Sequence, residues 1–308
     1  MKKVLVTGAA GFIGSHLCGA LLQNQETQVI GIDNLRSGRW DRLNGDFVKI
    51  EKDIVDIGTT QWLDILSQVD VVFHLAAEKY NSSKSTPEKL LDSNVLATER
   101  LARAAAISNV QRLVFTSSLY AYGTYGPQIM SERDIPSPST LYGASKLMGE
   151  GILRSIDRDK SLSWNVARLF FIYGPKQFAE GGYKSVIVSN FERVLNNESP
   201  LIFGDGEQSL DYVFVDDCIN ALISLGESAL DKQIVNVSSG KPISINELTD
   251  LMTVASGAKL KPVHGQKDST HGTHRFGDNQ LIKKQFNWQP SVDLAEGLKR
   301  TFEWMKNG

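Results

Sequence analysis

The stretch Lys2-Lys3-Val4-Leu5-Val6-Thr7-Gly8-Ala9-Ala10-Gly11-Phe12-Ile13-Gly14 decides the fold. A short apolar run ends in a glycine turn, and amphipathic sequence continues to about Asn24, so the segment reads as strand, tight turn and helix. A second apolar run, Val29-Ile30-Gly31-Ile32, ends at Asp33 and completes a β-α-β unit. Glycines spaced as GxxGxxG bare the backbone, so that a diphosphate can approach it and strand and helix can pack closely. The helix start adds unpaired N–H groups and the positive end of its dipole. The turn therefore predicts dinucleotide binding at Gly8, Gly11, Phe12, Ile13 and Gly14. Asp33 follows Gly14 by 19 residues, where a carboxylate can accept both ribose hydroxyls of adenosine and repel the extra phosphate of NADP. The expected cofactor is NAD, a preference that Arg36 tempers, with Asn34 beside Asp33 in the same site. Asp53 and Ile54 follow the next strand and are expected near the adenine, although Asp53 reads equally well as a helix cap or turn carboxylate. Leu75, Ala76 and Ala77 end a further strand with small residues that let a cofactor lie close; small residues also serve simple packing.

Outward from this unit the pattern repeats. Apolar runs at 47–50, 69–75, 113–117 and 163–171 read as strands, and 90–106 and 142–155 carry helical periodicity. Strands separated by helices predict an α/β fold, a Rossmann-type doubly wound parallel sheet. Beyond it the regular alternation stops. A glycine-rich surface segment at 178–183, a helix at 186–195, short strands at 201–203 and 212–215 around the Gly204-Asp205-Gly206 turn, and helices at 245–255 and 292–305 predict a smaller mixed α/β C-terminal substrate domain. The expected division is 1–170 for dinucleotide binding, with about 211–240 returning to it, and 171–308 mainly for substrate.

Composition narrows the function. Hydrophobic residues at 41% and charged residues at 22% describe a folded chain, not a disordered adaptor. A net charge of −2 gives no general attraction for nucleic acid. Cys18 and Cys218 are too few for a disulfide scaffold and read as core thiols. With no long apolar segment, neither membrane insertion nor a targeting leader is expected, and the expected location is cytoplasmic. Asn236-Val237-Ser238 matches a glycosylation acceptor, without any other sign of secretion.

The chemistry concentrates at Tyr142-Gly143-Ala144-Ser145-Lys146, preceded by Thr116-Ser117-Ser118 at a strand end. Tyr142 and Lys146 are four residues apart and share a helix face. A neighbouring ammonium favours the phenolate and makes tyrosine usable as an acid or base. Lys146 can also reach the nicotinamide ribose, and Ser118 can hold the reacting oxygen. The competing reading is a local helix contact and a turn cap.

TGAAGFIG at 7–14, HLAA at 74–77, FTSSLYAYG at 115–123 and YGASK at 142–146 resemble the extended short-chain dehydrogenase/reductase family, in particular its nucleotide-sugar epimerases and dehydratases. The likeness continues through LFFIYGP at 169–175, PLIFGDG at 200–206 and DYVFVDDC at 211–218. The resemblance implies Tyr142 as acid/base, Lys146 as organiser of cofactor and tyrosine, and Ser118, counted back from Tyr122-Gly123, as the hydroxyl on the substrate oxygen. It further implies a tightly held NAD, a nucleotide-sugar substrate, no metal, and a homodimer formed through helices at about 90–106 and 142–155.

Within that group the sequence favours an NDP-sugar epimerase, most readily at C4. The related 4,6-dehydratases carry an aspartate and a glutamate after the active-site hydroxyl, where this chain has Leu119 and Tyr120. A dehydratase using another proton donor and a non-catalytic member of the fold are the alternatives. Glu78, Lys79 and Tyr80 form a polar loop past a sheet edge, able to face a substrate or only solvent, and Lys84 adds a possible phosphate contact. Phe171 stands where resembling epimerases often have asparagine, and Leu210 where they often have arginine, which removes a bidentate diphosphate clamp. Lys176, Lys184, Lys267, His271, His274 and Arg275 are possible substitutes, and His271 with His274 falls short of a metal set.

Overall fold

The computed structural model describes residues 2–123, 128–160, 162–177, 184–268 and 270–307. The segment 178–183, read above as a surface segment, lies outside the described residues. The chain folds as two compact units, one made of 1–124, 134–168 and 219–235, the other of 125–133, 169–218 and 236–308.

The first unit is built on β1 (Lys2–Thr7), β2 (Thr27–Asp33), β3 (Val48–Glu51), β4 (Val71–His74), β5 (Arg112–Ser118) and β6 (Trp164–Leu169), with Gln233–Val237 as the seventh strand of the sheet. From one edge the order is β3, β2, β1, β4, β5, β6 and Gln233–Val237, and the neighbours from β3 through β5 run parallel. Order reverses beside β1, which makes the carboxyl ends of β1 and β4 the switch point where ligands bind in open α/β sheets. This is the Rossmann-type doubly wound sheet with flanking helices. Its central strands are apolar on both faces: Val4, Leu5 and Val6 on β1 and Val71, Val72 and Phe73 on β4 are all buried. The helices Thr59–Leu66 and Ala97–Ile107 contribute Trp62, Leu66, Leu101 and Ala105 to a core shared with Leu5, Val72, Leu113 and Phe115. Cys18 is buried here, its thiol pushed up to about 12 by burial.

Two predicted elements differ. The helix expected over 90–106 is three pieces, Pro87–Leu91, a π-helical turn at Asp92–Leu96 and Ala97–Ile107. The strand expected over 163–171 stops at Leu169, and Phe171–Tyr173 is a separate strand of another sheet. The apolar run is continuous, so periodicity alone does not reveal that break.

In the second unit, Ser209–Phe214 lies between Pro242–Ser244, antiparallel, and the parallel strands His274–Arg275 and Phe171–Tyr173. Leu201–Phe203 and Val263–Gly265 form a parallel pair. Helix Ile245–Ser256 starts on a capping box from Ser244 and Glu247 and ends on left-handed Gly257. Phe191 and Phe302, 5.0 Å apart between ring centres, are both buried. Asn236 of the glycosylation-like tripeptide is fully buried, its side-chain amide donating to Met130 O and Asp278 O. Cys218 is also a buried free thiol. No helix among the described residues is long and apolar enough to cross a membrane.

Candidate active site

The glycine turn joins β1 to helix Phe12–Leu21. Gly8 has φ +72°, and a Cβ there would meet Ala76 N at 2.9 Å. At Gly14 a Cβ would fall 2.0 Å from Gly8 O, so the helix can sit this close to the turn only without a side chain. Gly11 brings no side-chain cap and no acidic residue occupies the first turn of the helix. The amides at Phe12, Ile13 and Gly14 thus open a helix with no capping side chain and no acidic residue in its own first turn, the arrangement an anionic diphosphate needs.

Asp33 ends β2 and is buried. Its Oδ2 accepts from Ala10 N at 3.0 Å and its Oδ1 from Leu35 N at 2.8 Å, so the carboxylate clips the glycine turn. Burial raises the Asp33 carboxyl above its ordinary range, against the pull of these amides and the Arg42 guanidinium. Gly38 matches it, since a Cβ there would lie 2.6 Å from Asp33 Oδ1. Asn34 turns to Asp53, donating from Nδ2 to Oδ2 at 2.8 Å. Asp53 caps the short turn Ile54–Asp56 by accepting from Val55 N at 3.2 Å, while the Ile54 side chain enters the core. Arg36 lies between two carboxylates, Asp53 at 3.1 Å and Glu78 in close contact.

Beyond β4, Leu75 N donates to Thr7 O and Ala76 N to Thr7 Oγ1, each at 3.2 Å, and Ala77 continues this partly buried loop. A proton-ordered chain runs inward from it. Ala76 N donates to Thr7 Oγ1, leaving the Thr7 hydroxyl to donate to His74 Nδ1 at 2.7 Å. His74 Nε2 lies 2.9 Å from Thr98 Oγ1, which itself donates to Asn94 O at 2.9 Å. Since the Thr98 proton is committed, Nε2 carries the imidazole proton. Burial first, then the Lys146 charge, holds His74 down at about 3, so it is neutral. Asn94, on the π-helical turn, accepts from Glu78 N at 2.7 Å and donates to Glu78 O and Ser145 Oγ, each at 3.1 Å. The extra residue of a π-turn re-aims this one side chain between the loop and the helix that carries Tyr142.

That helix, Leu141–Lys160, begins behind Thr140, whose Oγ1 accepts from Gly143 N at 3.0 Å. Gly143 permits close approach to the turn after β5, because a Cβ would be 2.2 Å from Tyr120 O. Ser118 ends β5, and its hydroxyl oxygen accepts from Tyr120 N at 3.3 Å. Ser118, Tyr142 and Lys146 all belong to this first unit, Lys146 only 3% exposed and Ser118 8%. Burial pushes the Tyr142 phenol up to about 12; its hydrogen bond with Ser118 pulls the other way, and Tyr120 adds to the rise. Lys146 is pushed down to about 8 by burial. Its Nζ donates to Thr116 O at 2.9 Å and lies 5.9 Å from the centre of the Tyr142 ring. Tyr142 is therefore a neutral phenol at rest, with beside it the Ser118 hydroxyl and the Lys146 ammonium, groups of the kind that favour a phenolate.

Around this pair, Tyr120 lies edge-on to Tyr142 at 5.8 Å and tilted on Tyr80 at 5.2 Å, and Lys84 is 5.1 Å above Tyr80. Glu78 is occupied by Arg36 and by Ser82 Oγ at 2.7 Å, while Lys79 is exposed. Thr7, Asn94, Thr98, Glu150 and Arg168 are the polar side chains that sequence reasoning missed; a buried polar residue inside an apolar helical face, as at Asn94, is the signal that marks them.

In the second unit, the Phe171 ring packs 5.9 Å from Tyr212, and Leu210 pairs with Ile243 and Arg275 across the sheet. Lys184 is paired with Glu192. Lys176 has left-handed φ, 64°. The Lys267 stem lies near Gly204, His271 is 3.4 Å from Asp205, His274 Nδ1 is 2.8 Å from Ser209 Oγ, and Arg275 is buried. No group of metal-binding side chains occurs among the described residues.

A bare glycine turn at a switch point, followed along one sheet by a strand-end serine and a helical tyrosine and lysine, defines the extended short-chain dehydrogenase/reductase class. The chain belongs to the NAD dependent epimerase/dehydratase family, whose model matches residues 4–238. It is similar to the UDP-glucose 4-epimerase of Mycolicibacterium smegmatis, with 36% identity over 315 residues and 99% of both chains covered. A solved UDP-N-acetylglucosamine 4-epimerase from Methanobrevibacter ruminantium superposes with a TM-score of 0.93 at 31% identity, covering 99% of this chain and 98% of that one. A UDP-glucuronic acid 4-epimerase from Bacillus cereus, solved with UDP-glucuronic acid and NAD, gives 0.89 at 27% identity and covers 99% of each chain. Membership makes this an enzyme of nucleotide-sugar epimerase/dehydratase chemistry.

Proposed function

We propose that the protein is an NAD-dependent NDP-sugar epimerase that inverts C4 of its sugar through a transient keto-sugar. The carrying observation is that Tyr142, hydrogen-bonded with Ser118 and flanked by Lys146, shares one unit with a glycine turn clipped by Asp33. NAD fits that turn: the helix start has neither cap nor acidic residue, and the glycines keep side chains off the backbone. Gly8, Gly11, Phe12, Ile13 and Gly14 are assigned to the diphosphate and Asp33 to the adenosine ribose. Asn34, Asp53 and Ile54 are assigned to the adenine side, and Leu75, Ala76 and Ala77 to the cofactor's path along the strand ends. Arg36 is neutralised by Asp53 and Glu78, so it is a weak host for the phosphate that distinguishes NADP.

When bound, NAD would supply reversible hydride exchange with the reacting sugar carbon. Tyr142 takes the proton of the sugar hydroxyl and gives it back after the planar ketone has presented its other face. Ser118 holds the reacting oxygen, and Lys146 supplies positive charge to the phenolate and a donor for the nicotinamide ribose. Epimerisation is favoured over dehydration because eliminating water needs a further acid and base. Leu119 offers neither, and Glu78 is engaged by Arg36 and Ser82. A homodimer through the helical segments 87–107 and Leu141–Lys160 of the first unit is in keeping with the exposed Leu96, Ile107 and Met148 on them.

Incubating the purified protein with UDP-, GDP-, CDP- and dTDP-sugars, read by NMR and mass spectrometry, tests the reaction. One sugar is expected to give an epimer of unchanged mass. A product lighter by one water, or accumulating reduced cofactor, contradicts the epimerase reading.

A further inference from the structure

The face that carries Tyr142 and Lys146 continues one helical turn to Glu150, which is 2% exposed. This carboxylate is fully engaged. Its Oε1 accepts from Ser117 Oγ at 2.6 Å and from Arg168 Nε at 2.9 Å, and its Oε2 accepts from the second Arg168 nitrogen at 2.7 Å. Arg168, on β6, is equally buried and lies 4.6 Å from the centre of the Tyr122 ring. Three consecutive residues of β5 thus meet three successive positions of the helix face. Ser118 goes to Tyr142, Ser117 to Glu150, and the carbonyl of Thr116 to Lys146.

Two oppositely charged groups one turn apart on a helix ordinarily pair, and here Lys146 and Glu150 have that spacing in a dry interior. Lys146 instead donates to a backbone carbonyl, because the bidentate guanidinium occupies both oxygens of Glu150. We propose that Arg168 is a positioning residue which, by neutralising Glu150, keeps the Lys146 ammonium on Thr116 and available to Tyr142. Without Arg168, the bare carboxylate draws the ammonium away from the reacting phenol and strengthens its hold on its proton. Without Glu150, the stranded guanidinium repels the ammonium.

The inference rests on the reading of Tyr142 and Lys146 as the reacting pair, but its test does not use turnover. The titratable and charged groups around Lys146 are Tyr142 and Glu150 on its own helix, His74 on β4, Arg168 on β6 and, one contact further out, Tyr120 against Tyr142 and Tyr122 against Arg168. His74 is held neutral and Tyr142 stays protonated near pH 8, which leaves the Glu150 carboxylate and the Arg168 guanidinium as the charges the argument turns on.

The experiment follows the 13Cε resonance of Lys146 with pH in the purified protein, assigned by its loss in Lys146→Met. The wild-type midpoint is expected near the value of about 8 that burial imposes. Glu150→Gln is expected to lower the midpoint and Arg168→Met to raise it, each by about one pH unit. Arg168→Lys, which keeps the cation, is expected to restore most of the difference. A purely structural pair would not move the two midpoints in opposite directions, so shifts of the same sign, or none, overturn the proposal. Should a single variant fail to fold, the double variant Glu150→Gln/Arg168→Met carries the test, since removing both partners strands no charge. Its midpoint is expected within about 0.3 unit of wild type, and a displacement near one full unit overturns the assignment. Turnover surviving in Tyr142→Phe would instead sink the reading of the reacting pair, leaving the Lys146 midpoints to stand or fall alone.

Discussion

Asp33 shapes the fold and, on the proposed reading, serves the ligand as well. Two of its acceptor sites hold Ala10 N and Leu35 N and thereby shape the glycine turn, while the remaining lone pairs are those a ribose diol requires. On the proposed reading its negative charge is what would reject a 2′-phosphate. Asp33→Asn keeps an oxygen for the turn and removes the charge, so the preference for NAD over NADP, read as a ratio of dissociation constants, is expected to fall at least about tenfold. An unchanged ratio with an intact fold would remove Asp33 from the ribose. The role suggested for Asp33 is legible in sequence because it needs only a strand end and a spacing. Asn94 and Glu150 are not legible in that way, since their partners at Glu78, Ser145, Ser117 and Arg168 are brought together only by the sheet.

At the scale of elements, β4 and the helical segment through the π-turn are tied by His74 between Thr7 and Thr98. This histidine lies at about 3 when folded and near 6.5 when free, so the unfolded chain binds the extra proton first. Its contribution to stability is complete above about pH 6.5 and is lost progressively as pH falls toward 3. Between pH 7.5 and 5 the loss amounts to about 2 kcal/mol. Asp211 opposes this trend, because burial raises it from 3.8 to about 6 and the folded state gains relative stability as pH falls through that window. The difference between wild type and His74→Gln in urea unfolding therefore isolates the histidine. That difference is expected to shrink by about 2 kcal/mol from pH 7.5 to 5, and parallel stabilities at both pH values would show that His74 is not held neutral. The strands around His74 are plain in the sequence because valines and isoleucines bounded by glycine are a local pattern. The π-turn at Asp92–Leu96 is not, since a one-residue change of helical register leaves composition and approximate periodicity intact. Val263–Gly265 and His274–Arg275 escape for a different reason: two or three residues acquire strand geometry only from partners some 60 positions away.

Across the whole molecule, the larger unit holds the residues that the proposed chemistry uses, and the smaller unit carries the departures at Phe171 and Leu210. The first is readable from motif and order because a glycine turn and a YxxxK helix impose backbone requirements that few residues meet. The second is not, because its short strands and loops pair in ways the sequence does not announce. The most direct measurement is turnover of Tyr142→Phe on whichever nucleotide sugar the wild type epimerises, alongside its unfolding midpoint and dinucleotide affinity. Removing the phenolic oxygen is expected to lower turnover by at least about a hundredfold while stability and NAD binding stay near wild type. Turnover close to wild type in that variant would contradict the assignment of the proton step to Tyr142.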